Sequence, residues 1–137
     1  MVLVITSTAC GLFALVAALI LQFRLTGWMF FSGLHDASPS KRANIDIHKL
    51  RRRLSIMMYF LASGFIASAL FLYLKVIPEP LAIPLDIGLI IVVFNAVYFF
   101  YRKFDRNEYS GGAHRAIRFF LLAVNLFLLV LCFLFIR

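Results

Sequence analysis

The sequence predicts an all-α, polytopic membrane protein, with four transmembrane helices plus an amphipathic helix on the cytoplasmic side. Three observations carry this. The 137 residues are 64% hydrophobic and 16% aromatic, with a mean hydropathy of +0.97, whereas a soluble domain is close to half apolar. Four apolar runs, at 2–23, 54–74, 83–101 and 119–136, match the roughly 20 residues that cross about 30 Å of hydrocarbon. The basic residues flank these runs and stay out of them. In lipid each span has to satisfy its own backbone polar groups, which favours helices over open sheet. Residues 1–137 therefore read as one four-helix membrane domain with loops at 24–53 and 102–118.

The first span, 2–23, has no Lys or Arg before it, and its first positive charge is Arg24. That flank suits a retained span with its N-terminus outside rather than a cleaved signal. Ser7 with Gly11, and Ala14 with Ala18, are small residues four apart, a spacing that lets helix backbones approach closely. The single Trp, Trp28, follows at the border of the span, where indole rings prefer the headgroup level.

The loop from Phe30 to Leu54 is the longest polar interval, and the spans hang from either side of it. Ser32-Gly33 breaks the chain, and Ser38 caps a helix with Pro39 at its first position, where the missing N–H costs nothing. Ile47, Leu50, Leu54 and Met57 then recur at three- and four-residue steps, with Lys49, Arg52 and Arg53 on other faces. This pattern predicts one amphipathic helix from Ser38 that runs straight into the second span, 54–74. Gly64 and Ser68 in that span repeat the small-residue spacing. Prolines 78, 80 and 84 predict an extended turn before the third span, 83–101. Asp86, near the predicted start of that span, is expected to complement its dipole. Tyr109-Ser110-Gly111-Gly112 marks the turn before the fourth span, 119–136, which Arg137 closes.

Orientation follows from charge. The first loop carries Arg24, Lys41, Arg42, Lys49, Arg51, Arg52 and Arg53, the third carries Arg102, Lys103, Arg106, Arg115 and Arg118, and the middle connection has only Lys75. Positive-inside asymmetry places both basic loops in the cytoplasm and both termini outside. The net charge of +8 is accordingly expected to meet anionic lipid headgroups and not nucleic acid.

Ionisable residues inside a span are functional suspects, and no Glu, His, Lys or Arg lies in the middle of one. This argues against a proton-coupled exporter of similar size. His35, His48 and His114 fall in loops without metal-ligand spacing, which argues against a haem anchor or a zinc site. Cys10 and Cys132 sit in apolar runs without pairwise spacing. No cofactor, metal or catalytic residue is therefore expected. Two amides stand out, Asn95 in the third span and Asn125 in the fourth, each displaced from its span centre by about 4 Å at 1.5 Å per residue. In antiparallel neighbours they meet at one level as a structural pair. The other reading makes them the polar lining of a small pore or binding cavity.

The loop also carries a resemblance. Ser32-Gly33-Leu34-His35-Asp36-Ala37-Ser38, followed by Asp46-Ile47-His48-Lys49-Leu50, resembles a family of small bacterial inner-membrane proteins of unassigned function. Their loop reads approximately Ala-Gly-Tyr-Asn-x-x-Ser, an acidic-basic run, then Asp-Ile-x-Lys-Leu. Gly33, Ser38, Asp46, Ile47, Lys49 and Leu50 match, whereas Leu34 and His35 stand where that family has Tyr-Asn. The chain is also loosely similar to bacterial peptide-toxin immunity proteins of the SdpI type. The resemblance implies a cytoplasmic motif with a structural or binding role, and no known activity.

The expected function is therefore non-enzymatic, that of an accessory or interaction subunit of the bacterial cytoplasmic membrane. Its partners would be the bilayer, anionic headgroups, and another membrane protein or a second copy. A small oligomeric transporter or channel built around Asn95 and Asn125, or a toxin-immunity protein, are the alternatives. The residues expected to carry interaction or structure are Gly33, Ser38, Asp46, Lys49, Arg51, Arg52, Arg53, Asn95 and Asn125.

Overall fold

The computed structural model describes residues 1–137 except Gly33, Tyr109 and Arg137, and omits the Ile136 side chain. The expectations for Gly33, Tyr109 and Arg137 thus lie outside the described residues. Six helices follow in order: α1 (Val2–Phe23), α2 (Trp28–Phe31), α3 (Pro39–Ala43), α4 (Ile47–Tyr73), α5 (Glu79–Phe104) and α6 (Gly111–Ile136). The described residues contain no named strand. Four of the helices, α1, α4, α5 and α6, are long and apolar enough to cross a membrane, and the chain is an all-α polytopic membrane protein.

α1 and α4 form the most extensive interface. α1 presents Ser7, Gly11, Ala14, Ala18 and Leu21 as one buried stripe, at the three- and four-residue steps of a single helix face. The small side chains let the two backbones come close. A Cβ placed on Gly11 would sit 2.9 Å from Ile66 Cγ1 and 3.3 Å from the Ala62 carbonyl oxygen. Ser55 lies on the matching face of α4, and its hydroxyl donates to the Ala18 carbonyl at 3.0 Å. α5 packs on the next face of α4, where a Cβ on Gly64 would run into the Leu89 side chain. Leu21, Leu50 and Leu54 are the fully buried centre of the core, with Val97, Phe100 and Phe104 of α5 packed against them.

α6 stands apart. It packs on α5, and no residue of its apolar length is fully buried. Its half-buried side chains, Leu121, Val124, Asn125, Leu128, Leu131 and Cys132, recur at helical spacing and form the stripe turned to α5. Phe119, Leu122, Leu126, Phe127 and Phe133 are exposed.

The ends of α1 and α4 share a device. Arg24 and Lys75 adopt left-handed backbone at φ 53° and 56°, and the following N–H closes the helix, Leu25 onto Ile20 at 3.1 Å and Val76 onto Phe71 at 2.9 Å. The left-handed residue at a helix C-terminus is usually Gly, so both stops are made here by basic residues at some steric cost.

Three expectations change. The helix predicted from Ser38 into the second span is two helices, because the chain leaves helical geometry at Asn44–Asp46. There Ile45 bridges Asp105, the Asp46 N–H donates to the Phe104 carbonyl at 3.1 Å, and the Arg106 N–H donates to the Asn44 carbonyl at 3.1 Å. Those bonds take the backbone groups that a continuous helix would use. α5 begins at Glu79, four residues before the predicted 83, with Pro80 in its first turn and Pro84 inside it. Pro80 removes an N–H that has no helical partner in any case, and the loss at Pro84 is tolerable in a membrane helix. Asp86 therefore lies past the second turn and does not cap the helix. α6 begins at Gly111, eight residues before the predicted 119, which shortens the loop between the last two spans.

Candidate functional site

The charged end of the bundle is where most of the singled-out residues meet. Ser38 caps α3, accepting from the Lys41 N–H at 3.4 Å. Asp46 caps α4, accepting from the Lys49 N–H at 3.1 Å, and its other oxygen pairs with the Lys49 ammonium at 3.1 Å. The Lys49 N–H and then its ammonium hold the Asp46 carboxyl below the usual carboxylate range.

Arg51 points the other way, toward α1. Its guanidinium donates to the carbonyls of Leu21 and, at 2.7 Å, of Gln22. These are carbonyls of the last turn of α1, which have no helical donor, and a cation there also complements the dipole. Arg51 thus fastens the α1 terminus onto α4. Tyr59 adds a hydrogen bond to the Gln22 side chain on the same side.

Arg52 and Arg53 remain outward. Together with Lys49, Ile56, Lys103 and Phe104 they line a groove between the start of α4 and the end of α5. The Arg53 guanidinium also lies 6.0 Å from the centre of the Phe100 ring, within reach of a cation–π interaction. Four basic side chains thus surround two apolar ones. On the opposite side of the same end, Arg24 covers the Trp28 ring at 5.5 Å.

The two basic loops are tied together by residues that the sequence pattern did not single out. The Asn107 side chain donates to the Lys41 carbonyl at 3.0 Å and accepts from the Asn44 amide at 3.2 Å. Its N–H and amide also bond one oxygen of Asp105. With the Ile45–Asp105 bridge, these contacts make a clasp between residues 41–46 and 104–107. Arg42 orders the preceding turn through the carbonyls of Ala37 at 2.7 Å and His35 at 3.1 Å. The only advance sign of the clasp is that polar Asn44, Asp105 and Asn107 flank the two predicted span ends.

Inside the membrane, Asn95 and Asn125 face each other and exchange two hydrogen bonds. Asn95 Nδ2 donates to Asn125 Oδ1 at 2.9 Å, and Asn125 Nδ2 donates back to Asn95 Oδ1 at 3.0 Å. Asn95 also donates to the Ile91 carbonyl at 2.8 Å. The pair is half-buried and is the main polar tie between α5 and α6. Asn95→Ala leaves Asn125 without its partner and is expected to cost about 1 kcal/mol. The double change Asn95→Leu with Asn125→Leu leaves nothing unpaired and is expected to recover most of that loss. Unfolding titrations in mixed micelles of the single and double variants check this; a double variant weaker than the sum of the single losses contradicts it.

A second intramembrane contact was not anticipated. The Ser7 hydroxyl of α1 donates to Asp86 Oδ2 of α5 at 2.7 Å. Of the sequence-predicted residues, the structure thus brings together Asp46 with Lys49, Arg52 with Arg53 and Lys49, and Asn95 with Asn125. Arg51 instead bonds the end of α1. Among the described residues, no three His, Cys, Asp or Glu side chains gather as metal ligands. No family model, curated protein or solved structure matches the chain.

Proposed function

We propose that the protein is a non-enzymatic integral membrane accessory subunit of the bacterial cytoplasmic membrane. It holds anionic headgroups at its charged end and packs with another integral membrane protein. In this reading both basic loops face the cytoplasm and both termini face outside. Twelve of the fourteen Lys and Arg residues, and four of the six acidic ones, lie in the segments 24–53 and 102–118, so the whole net charge of +8 belongs to that end. Such a distribution orients a membrane protein and draws it to anionic lipid.

The observation that carries the reading is how the polar side chains of α5 and α6 are used. Asn95 and Asn125 turn their amides on one another, while α6 keeps an apolar face exposed along its length. A transport path needs convergent polar groups along its length, and a helper needs a surface. The loop resemblance to small inner-membrane proteins is in keeping with this.

The test is site-specific photocrosslinking from Leu126 and Phe133 in native bacterial membranes, with single cysteines at positions 79 and 110 of the same protein reporting orientation. The expected result is one defined membrane-protein adduct that also co-purifies in fixed ratio, with position 79 labelled from outside and position 110 protected. Crosslinks to lipid alone, together with solute flux in liposomes that the double Leu variant abolishes, would overturn the accessory reading in favour of a transporter. Labelling of position 110 from outside would overturn the orientation.

A further inference from the structure

The apolar lengths 2–23, 54–74, 80–101 and 119–136 contain a single charged side chain, that of Asp86. It is the eighth residue of α5, about 10 Å along the helix from its first residue at 1.5 Å per residue. It shares a stripe with the buried Ala82 and Val93 and so is turned toward the other helices. Its partner Ser7 is 4% exposed.

A third oxygen belongs to the same level. Ser68 of α4 is 8% exposed, and its hydroxyl makes no hydrogen bond among the described residues. Other helical hydroxyls of this chain find a carbonyl: Thr8 that of Val4 at 2.7 Å, Ser63 that of Phe60 at 2.9 Å, and Ser55 that of Ala18 at 3.0 Å. The helix contacts fix the depth of Ser68. Gly64 abuts Leu89, and α4 and α5 run antiparallel. One turn onward along α4, at Ser68, therefore meets one turn back along α5, at Leu85 and Asp86. Gly11 abuts Ile66, so one turn back along α1, at Ser7, comes level with residues 66–70 of α4. Three helices thus bring a carboxylate and two hydroxyls to one depth.

Among the described residues, no cation pairs with the Asp86 carboxylate. Of the groups at this end, the Met1 ammonium is 3.8 Å from Glu79, and Lys75 lies beyond the end of α4. α6 contributes the Cys132 thiol, which donates to the Pro84 carbonyl at 3.8 Å. An ionised carboxylate within a membrane span is strongly disfavoured without a counter-charge.

We infer that Asp86, Ser7 and Ser68 form a binding site for a small monovalent metal cation of the sodium type, reached from the end of the bundle that carries Met1 and Glu79. Carboxylate and hydroxyl oxygens are the donors that hard cations select, and each hydroxyl has lone pairs to offer once its proton turns away. A proton on Asp86 can be shared with only one further oxygen at a time. A metal cation engages all three. The inference stands on this geometry and goes beyond the accessory reading.

The experiment uses the purified full chain in detergent, in sodium chloride or choline chloride at about 0.1 M each, where screening is equal. The readout is modification of Asp86 by a hydrophobic carbodiimide, located by mass spectrometry. Sodium is expected to slow the modification about fivefold, the factor for roughly 80% occupancy. Ser68→Ala, which keeps the Ser7–Asp86 bond, is expected to be modified normally and to lose the protection; Asp86→Asn is expected to be unmodified at that position. Equal rates in the two salts would mean that Asp86 takes only a proton and would overturn the proposal. Sodium protection that survives intact in Ser68→Ala would overturn the three-oxygen site.

Discussion

Gly11→Leu is expected to destabilise the protein by about 3 kcal/mol, at the upper end of what overpacking a close interface costs. Gly11 lies in the buried stripe of α1, and the obstacles to a side chain there are of two kinds. Ile66 Cγ1, 2.9 Å from an added Cβ, belongs to a side chain that is 41% exposed and can give by a small shift, although χ1 of a β-branched residue is stiff in a helix. The Ala62 carbonyl oxygen and the Ile66 nitrogen, each at 3.3 Å, are helix backbone and do not move without the helix. Gly11→Ala is therefore expected to cost about 1 kcal/mol, because one methyl asks for a few tenths of an ångström. Leu asks for the separation of α1 from α4, which would also break the Ser55–Ala18 hydrogen bond. Unfolding titrations of both variants in mixed micelles measure the difference. A Leu variant as stable as the parent would mean that the two helices do not touch at this level.

Arg51→Met is the second large effect, expected at about 2 kcal/mol, since hydrogen bonds from a charged donor contribute more than neutral ones. The substitution keeps an apolar stem of similar length but strips the donors from the Leu21 and Gln22 carbonyls of the last turn of α1. Arg52→Met, one residue along and exposed, is expected to stay within about 0.5 kcal/mol of the parent. It should instead weaken binding to vesicles rich in anionic lipid, because Arg52 lines the outward groove. The pair separates two uses of one basic run: equal stability losses, or equal losses of vesicle binding, would contradict the division.

Much of this was legible from spacing and composition. The sequence predicts a first span at 2–23 and α1 occupies Val2–Phe23, because an unbroken apolar run and the charge that ends it define its limits. The meeting of Asn95 with Asn125 followed from depth alone. What could not be read was decided by contacts distant in sequence. The break at Asn44–Asp46 exists because residues 104–106 lie there to accept and donate. The direction of Arg51 depends on where α1 ends in space, 29 and 30 residues away. The early start of α5 was hidden by its prolines, which punctuate most sequences but here sit where a helix tolerates them. That misplacement made Asp86 look like a cap and concealed its bond to Ser7.

The clasp has a consequence for how the chain is made. Its two halves, residues 41–46 and 104–107, leave the ribosome about sixty residues apart, and the bonds between them cannot close until α5 has been threaded. Once they close, α1, α4 and α5 are tied at the charged end by the clasp and Arg51, and nearer the other end by Ser7 and Asp86. None of these ties involves α6, which emerges after them. Biogenesis thus divides into a three-helix body that completes itself and a fourth span that joins through the amide pair, the Cys132–Pro84 contact and an apolar stripe, arriving when the surface it meets is already built.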